Sequence, residues 1–508
     1  MKNAQHLMFD RFSSDVALRQ ALLFAWVLLC VFLSKGSALL GGYALDDYKL
    51  SLGADSESTR QLAAHFLSQG RYTFVPITLA LDAVGINFVQ IQFLAAALCI
   101  SAYAYFIATV FSYPLSLGTS FAACLIGSAV AASHPYAAEY FTFRQADLPM
   151  AIAWLLSALS LRLAARQFRQ STDEAIEKNS LRQRVLVSSL VLTLAAGINQ
   201  LVVPATFCGL IGMFALPRHR SGHGDQFSYD GIRIAFLVPA FATIAYVIIN
   251  LLLSRLFSLP HENRATLIGV ADIPQRCIEV LSLLKRMVWD GEPILSHGAK
   301  IAFVAALLLS AGLAFIQNRY RTVLILACGV LMLAATIAPV AVGKSWWPVP
   351  RSISAYAIAS GIVAAGLVGG ALLSRSGAFV IWSFPLLALS FSSASVFFDQ
   401  TRLNRWDQLR AALILHDVET HFGKNDSRPI LIGNPSWGYP SGLGTTQGDM
   451  NISAFAKPWS ISGLFTEATG TTRKVFIGDD INKACIGKPN WPTAGSLSER
   501  GDAILVCL

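Results

Sequence analysis

Two adjacent carboxylates, Asp46 and Asp47, follow directly on the first long apolar segment of the chain, Ala21–Leu40. Neighbouring residues cannot share one face of a helix or a strand, so one acid can point into a cavity while the other contacts backbone, water or a cation. A carboxylate in a cavity could act as a general base that takes the proton from a hydroxyl attacking a sugar carbon. The alternative is that both acids cap a helix or lie in a solvated turn beside the membrane.

A second polar stretch, residues 133–150, lies between two apolar segments and combines Arg144 and Asp147 with several aromatic residues. The planar guanidinium of Arg144 suits a phosphate, because it donates paired hydrogen bonds. Asp147 directly precedes Leu148-Pro149 and could instead cap the following helix. The aromatic residues could equally form the belt that membrane proteins place at the lipid boundary.

Two further polar stretches are candidates for the same site. Asn199 and Gln200 stand between two short apolar segments, where they could line a polar cavity or close a tight turn. Residues 343–352 carry Lys344 and Arg351 with two tryptophans, which suits a phosphate with a sugar stacked beside it. Tryptophan at this depth could also be a membrane anchor.

Composition shows what kind of protein must hold these groups. Of the 508 residues, 54% are hydrophobic and 14% are charged, whereas a soluble domain carries roughly 25% charged residues. The net charge of +9 then indicates an anionic lipid or lipid phosphate as partner rather than nucleic acid. The sequence contains no phosphate-binding Walker loop, dinucleotide fingerprint, zinc spacing or nucleophile elbow, which disfavours a nucleotide-sugar donor and an ATP-driven pump.

Apolar segments of spanning length position the polar stretches. The first, Ala21–Leu40, exceeds the roughly 7–15 apolar residues of a cleaved signal peptide and predicts a retained anchor. Ten more follow, so we predict an all-α polytopic membrane domain over residues 1–397 with about eleven transmembrane helices. After the anchor, the predicted spans are Phe88–Phe111, Leu115–Ala132, Leu148–Ala165, Val185–Ile198, Leu201–Leu216, Ile234–Phe257, Ile301–Ile316, Val323–Val342, Ala355–Leu373 and Phe379–Phe397.

The polar remainder, residues 398–508, predicts a small α/β domain. A helix is expected over Asn404–His421, and strands over Pro429–Ile432, Lys474–Ile477 and Ala503–Val506.

The distribution of Lys and Arg predicts the orientation of the chain. Basic residues concentrate in 162–184 and 218–233, which places these loops and the N-terminus in the cytoplasm. The four loops 41–71, 133–147, 258–300 and 343–354 and the C-terminal domain then share the opposite face. Cys485 and Cys507 lie in that domain as a candidate disulfide, which requires an oxidising compartment.

In their order along the chain and on one common face, the polar motifs resemble the integral-membrane serotype-converting O-antigen glucosyltransferases of the Gtr type II group. That group belongs to the multi-span GT-C class of glycosyltransferases. The motifs that carry the resemblance, within about the first 360 residues, are Asp46-Asp47, Gly70-Arg71, His134-Pro135-Tyr136, Phe143–Met150, Gly197–Gln200 and Pro350-Arg351.

The resemblance implies a GT-C-like enzyme of the bacterial inner membrane. It would move a glucosyl or other hexosyl residue from undecaprenyl phosphate onto O-antigen lipopolysaccharide or a similar surface glycan at the periplasmic face. Asp46 or Asp47 would be the catalytic base. A divalent ion could assist, but no cofactor is required, because fixed cations can stabilise the departing phosphate. The residues expected to bind phosphate or substrate are Lys49, Arg71, Arg144, Asp147, Gln200, Lys344 and Arg351.

The partners implied in the same way are the polyprenyl-phosphate-sugar donor, the glycan acceptor and the lipid bilayer, with a flippase and a donor-charging glycosyltransferase working alongside. The C-terminal domain would cap the cavity or help to choose the acceptor. Two other functions are compatible with the sequence: a lipid-linked glycan transporter or flippase, and an O-antigen polymerase or ligase. A transporter favours ionisable groups inside the spans, whereas most charges here stand at span ends and in loops.

Overall fold

The structure is a computed structural model that describes residues 2–51, 56–86, 88, 90–165, 174–216, 229–259, 267–289, 294–371, 375–424, 426–434, 452–470 and 472–508. Side chains are described for these residues except 2–14, 49–51, 56–61, 174–180, 229–230 and 375.

Helices form most of the chain, and a helix overlaps each of the eleven apolar segments predicted above. The helices up to the start of the C-terminal region are α1 (Lys2–Lys35), α2 (Leu45–Ser51), α3 (Ser56–Ser68), α4 (Phe74–Ala83), α5 (Gln92–Ser116), α6 (Phe121–Ser133), α7 (Arg144–Ala165), α8 (Glu174–Ala196), α9 (Val202–Ala215), α10 (Tyr229–Leu256), α11 (Ile273–Val288), α12 (His297–Gln317), α13 (Arg319–Val342), α14 (Ala355–Gly370) and α15 (Arg375–Phe422).

Within the described residues, seven helices are long and apolar enough to cross a bilayer. An eighth span results if α6 and the 3-10 helix Pro135–Phe141, which meet at 53°, are taken as one. The chain is therefore largely helical, and several of its helices are suited to a membrane. The total of eleven transmembrane helices stays a prediction. Helices α9 and α14 have 14 and 16 residues, or about 21 and 24 Å, which is shorter than a hydrocarbon core of about 30 Å.

The close packing of α6 on α14 depends on two glycines. A Cβ atom added at Gly127 would collide with the carbonyl oxygen of Gly361 and with Ala365. Small residues allow two helix backbones to approach in this way, which is a common device in membrane bundles. The contact fixes α6, and therefore the polar residues that follow it in the chain.

Helix α15 joins the membrane region to the C-terminal region without a break. Its 48 residues span about 72 Å, so the domain boundary predicted at residues 397/398 falls inside one helix. The predicted helix Asn404–His421 is the second half of α15. Beyond it lie α16 (Pro458–Thr469) and α17 (Asp479–Ala484).

The C-terminal region contains a four-stranded sheet with the strands β1 (Ile430–Gly433), β2 (Val475–Phe476), β3 (Leu497–Arg500) and β4 (Ala503–Cys507). Their order is β2-β1-β4-β3, and only the β3–β4 pair is antiparallel. Three of these strands match the predicted ones, and β3 was not predicted. A disulfide joins Cys485, directly after α17, to Cys507 at the end of β4.

The apolar core of the C-terminal region includes two residues from the start of the chain. Tyr43 and Tyr48, on either side of the acid pair, are buried with Phe455, Ile461 and Leu464. Helix α2 therefore packs against the C-terminal region as well as against the membrane region.

Candidate functional site

The two adjacent acids have different surroundings. Both lie in the first turn of α2, but Asp47 is buried and Asp46 is exposed. One Asp47 oxygen, Oδ2, accepts hydrogen bonds from the backbone N–H groups of Ala44 at 2.8 Å and Arg144 at 3.1 Å. The other, Oδ1, accepts one from the N–H of Gln145 at 3.1 Å. Asp47 thus satisfies the first N–H groups of α7 as a cap from outside the helix.

Asp46 faces a cavity of about 440 Å³. Within the part of the chain that the structure describes, no hydrogen bond or ion pair engages its carboxylate. The polar residues that line this cavity are Asp46, His65, Gln69, Arg71, Gln145, Asn199 and Arg351. The aromatic residues that line it are Phe66, Phe74, Tyr140, Phe143, Trp347 and Trp459.

Arg351 forms one cationic side of the cavity. Its guanidinium lies 4.5 Å from the ring centre of Trp347 and 5.0 Å from that of Phe143, and its Nη1 atom lies 3.4 Å from Oε2 of the buried Glu139. The Arg351 backbone N–H donates to the same Glu139 oxygen at 2.6 Å. Glu139 therefore orients Arg351, while the aromatic planes keep the guanidinium at the cavity wall.

Arg71 forms a second cationic side. Its guanidinium lies 5.8 Å from the ring centre of Phe66, and electrostatic interactions of both Arg71 and Arg351 reach the hydroxyl of Tyr140. Both guanidinium groups line one cavity with the carboxylate of Asp46. This combination can bind a phosphate and also accept a proton.

The segment that carries Arg71 is held against the turn that follows α8, and Tyr246 of α10 shares this contact. Gln200 donates to the carbonyl of Gln69 at 2.7 Å and to the hydroxyl of Tyr246 at 2.6 Å. The Gly197 carbonyl accepts from the N–H of Thr73 at 2.9 Å. Gln200 is thus placed to position the Arg71 segment and does not line the cavity itself.

Tyr72, next to Arg71, donates its hydroxyl proton to the carbonyl of Thr193 at 3.0 Å. Burial raises the pKa of Tyr72 above its ordinary value, and the neighbouring Tyr246 adds to the shift. The phenol therefore stays protonated and keeps donating this hydrogen bond, which fixes the segment next to Arg71.

Arg144 and Asp147 lie behind the cavity wall. Both are buried, and Arg144 Nη1 lies 3.4 Å from Asp147 Oδ2. The Nε atom of Arg144 donates to the carbonyl of Gly42 at 2.7 Å. Arg144 therefore ties the segment before α2 to α7, and it does not line the cavity. Asp147 does not cap α7, because the helix begins three residues earlier at Arg144.

The predicted lysine Lys344 differs from the cavity arginines. Lys344 is exposed and does not line the cavity, and its carbonyl accepts a hydrogen bond from Arg276 at 3.0 Å. The side chain of Lys49 lies outside the described residues. Of the predicted set, the cavity therefore brings together Asp46, Arg71 and Arg351.

Two residues of the cavity wall, His65 and Trp459, were not predicted from the sequence, and Gln145 was placed in a candidate polar stretch without a role of its own. His65 lies on α3, and Trp459 comes from α16, far along the chain. Gln145 stands beside Arg144 in the sequence, and its side chain is 7% exposed. The adjacency to Arg144 could have singled out Gln145, whereas no periodicity marks Trp459.

Among the residues that the structure describes, no group of three or more His, Cys, Asp or Glu side chains is arranged to hold a metal ion. No protein-family model matches this sequence, and no curated protein matches it significantly. The chemistry of the cavity residues is therefore the basis for a functional assignment.

Proposed function

We propose that this protein is a membrane glycosyltransferase of the GT-C type that moves a hexosyl residue, glucose by the sequence resemblance, from a polyprenyl phosphate onto a surface glycan. The observation that carries the proposal is the meeting of Asp46 with Arg71 and Arg351 in one aromatic-walled cavity. A lipid-linked sugar needs cations for its phosphate, flat apolar faces for its ring, and a base for the incoming hydroxyl. The cavity supplies all three.

In the proposed reaction, each charged group of the cavity has one role. The acceptor hydroxyl oxygen attacks the anomeric carbon of the donor sugar and forms the new glycosidic bond. The bond between that carbon and the phosphate oxygen breaks, and the phosphate leaves on its polyprenyl chain. Asp46 takes the hydroxyl proton, while Arg71 and Arg351 stabilise the negative charge that develops on the leaving phosphate.

Asp47 is assigned a positioning role in this proposal. Its carboxylate is engaged by three backbone N–H groups, so its lone pairs are directed at the start of α7 rather than at the cavity. The capping contact holds Asp46 on one side of α2 and Gln145 on α7 near each other. This division makes Asp46 the catalytic residue of the pair.

The proposed location is the bacterial inner membrane, with about eleven spans, the N-terminus in the cytoplasm and the cavity at the periplasmic face. Two observations support this orientation. The cavity includes Trp459 from the C-terminal region, and that region carries the Cys485–Cys507 disulfide, which an oxidising compartment maintains. Helix α7 starts at the cavity and reaches Arg162 about 27 Å further along, where the basic segment 162–184 begins.

A lipid-linked glycan transporter is the second candidate, because two lysines, Lys35 and Lys300, are buried in helices of spanning length. Lys35, at the end of α1, donates to the carbonyl of Ala132 and lies 3.3 Å from the hydroxyl of Ser393. An ionisable group in such a place often marks a transport path. In this protein its acceptors include the carbonyls at the end of α6, which a fixed Lys35 would hold in place, so the glycosyltransferase is favoured.

The experiment that tests the proposal compares the surface glycan of cells with and without the chain by mass spectrometry and linkage analysis. We expect a hexose branch only with the intact protein, and its loss in Asp46→Asn. Asp502→Asn, an exposed acid far from the cavity in sequence, is the matched control and should keep the branch. An unchanged repeat unit with altered chain length would identify a polymerase or ligase. Movement of a lipid-linked sugar across vesicles without a glycan product would identify a transporter.

A further inference from the structure

We infer that the C-terminal region supplies the acceptor subsite of the cavity, with Trp459 stacking on a sugar ring of the acceptor glycan beside Asp46. The inference rests on the proposed function. It assigns a substrate-contacting role to a residue that none of the sequence motifs includes.

Trp459 is the described cavity residue that comes from beyond α15. It follows Pro458 at the start of α16, and 45% of its surface is exposed. Lys457 Nζ lies over the indole, 5.5 Å from the ring centre, so the stacking we infer uses the opposite, flat apolar face of the ring. The C–H face of a pyranose ring is complementary to such a surface.

The position of Trp459 is fixed relative to Asp46 by contacts on both sides of α2. Helix α16 packs directly on α2. The Asn404 side chain on α15 accepts from the N–H of Tyr43 at 2.5 Å and donates to the carbonyl of the same residue at 3.0 Å. Asp407, one turn further along α15, accepts from the hydroxyl of Ser453 at 2.7 Å and the N–H of Ala454 at 2.8 Å.

These contacts hold the proposed base, Asp46, and the proposed stacking surface, Trp459, in a fixed position relative to each other. The rings of Tyr43 and Tyr48 are buried in the C-terminal core on either side of Asp46 in the sequence. The start of α2, with its exposed acid, is thereby clamped to the same region that carries Trp459. A sugar held on Trp459 would present its hydroxyls to Asp46.

The cavity lining comes from two parts of the chain, which suit two different substrates. Arg71 and Arg351 come from the membrane region, where a polyprenyl chain must lie, so the donor phosphate belongs beside them. Trp459 comes from the polar C-terminal region. A water-soluble glycan would approach the cavity from this side. Gln145 also lines the cavity, and its buried Oε1 atom has no hydrogen-bond partner among the described residues. A hydroxyl group of the acceptor glycan or of the donor sugar would donate a hydrogen bond to this oxygen.

The test uses the full chain in nanodiscs with a short-chain polyprenyl-phosphate hexose and the polysaccharide released from lipopolysaccharide of cells lacking the chain. The variants are Trp459→Ala, Trp459→Phe and, as a matched control, Trp406→Ala, an exposed tryptophan on α15 that does not line the cavity. We expect Trp459→Ala to raise the KM for the polysaccharide about tenfold and to leave the KM for the donor unchanged. Trp459→Phe should keep most of the affinity, and Trp406→Ala all of it.

Three outcomes decide the matter. An unchanged polysaccharide KM in Trp459→Ala overturns the inference, and a raised donor KM with no change for the polysaccharide assigns Trp459 to the donor and overturns it as well. If the unaltered chain transfers no sugar, the proposed function fails. Saturation-transfer NMR with the polysaccharide then examines Trp459 separately, because loss of glycan contact in Trp459→Ala alone would show that the glycan subsite exists without the transfer activity.

Discussion

The Asp47 carboxylate accepts the backbone N–H of Arg144 at 3.1 Å, across 97 positions of the chain. In return, the Arg144 side chain donates to the carbonyl of Gly42 at 2.7 Å. Each residue therefore binds the backbone near the other, and the start of α2 is locked to the start of α7. The exposed Asp46 depends on this pair for its place at the cavity.

The first prediction separates the two acids by their effects. Asp46→Asn should lower the rate of sugar transfer by about 100-fold or more, because the proposed proton acceptor is lost. Its thermal unfolding midpoint should stay unchanged, since no contact within the described residues depends on that carboxylate. Transfer assays on purified protein and scanning fluorimetry in detergent measure the two quantities.

Asp47→Ala should show the opposite order of effects. Three buried N–H groups lose their acceptor, so the free energy of unfolding should fall by about 2 kcal/mol. Activity should fall as well, because Asp46 and Gln145 lose their relative position. If Asp47→Ala were as stable as the unaltered protein and Asp46→Asn kept full activity, the roles of the two acids would have to be exchanged.

The second prediction concerns the arginines and the lysine that sequence analysis grouped together. Arg351→Gln should raise the KM for the polyprenyl-phosphate donor at least about tenfold, because a charge-assisted hydrogen bond to phosphate is lost. Lys344→Gln is the matched control. It removes an exposed cation from the same loop but not from the cavity wall, so its donor KM should stay unchanged.

Removing Arg351 also leaves the buried Glu139 without this ion pair. A stability measurement must therefore accompany the kinetics. Arg351→Lys keeps the charge and should recover part of the donor affinity but not the paired geometry of a guanidinium. Equal donor KM values for Arg351→Gln and Lys344→Gln would remove Arg351 from the phosphate site.

The membrane helices and the split of the acid pair were accessible from sequence for a clear physical reason. Segments that span a lipid bilayer must be apolar and helical, so long apolar stretches of the sequence predict them. Adjacent side chains must diverge, so one acid in a cavity and one on backbone was an expected outcome. Which acid takes which role depends on the N–H groups of Arg144 and Gln145, and these come close only when α7 packs beside α2.

The positions of Arg144 and Trp459 could not be predicted from the sequence, for related reasons. The residues around Arg144 in the sequence do not reveal whether its side chain binds a phosphate or the Gly42 carbonyl, because Gly42 is distant in the chain. Trp459 enters the cavity through the packing of α16 on α2, a contact between segments more than 400 residues apart. Helix α15 has an apolar first half and a polar second half. The change in composition therefore predicted a domain boundary at a point where the helix is continuous.

The third prediction tests the helix packing beneath the site. Gly127→Ala should destabilise the protein by about 1–3 kcal/mol, since the new methyl group meets the backbone carbonyl of Gly361, which cannot turn aside. Gly312→Ala, in the middle of α12, is the control. Nothing lies within 4 Å of its Cβ position, so alanine should be neutral or slightly stabilising there. Unfolding midpoints in one detergent decide between these outcomes, and equal midpoints would contradict the close approach of α6 and α14.

The fourth prediction concerns the disulfide that closes the C-terminal sheet. Cys485→Ser together with Cys507→Ser should lower the stability of this region by about 3 kcal/mol, because the bond closes a loop across a sequence separation of 22. Limited proteolysis of the region, followed by mass spectrometry, measures the effect. A reductant should sensitise the unaltered protein to the same degree and leave the double variant unchanged. Cys277→Ser, which removes an exposed free thiol, is the control and should match the unaltered protein with and without reductant. Labelling of Cys485 and Cys507 by a thiol reagent in protein isolated without reductant would show that the bond does not form in cells.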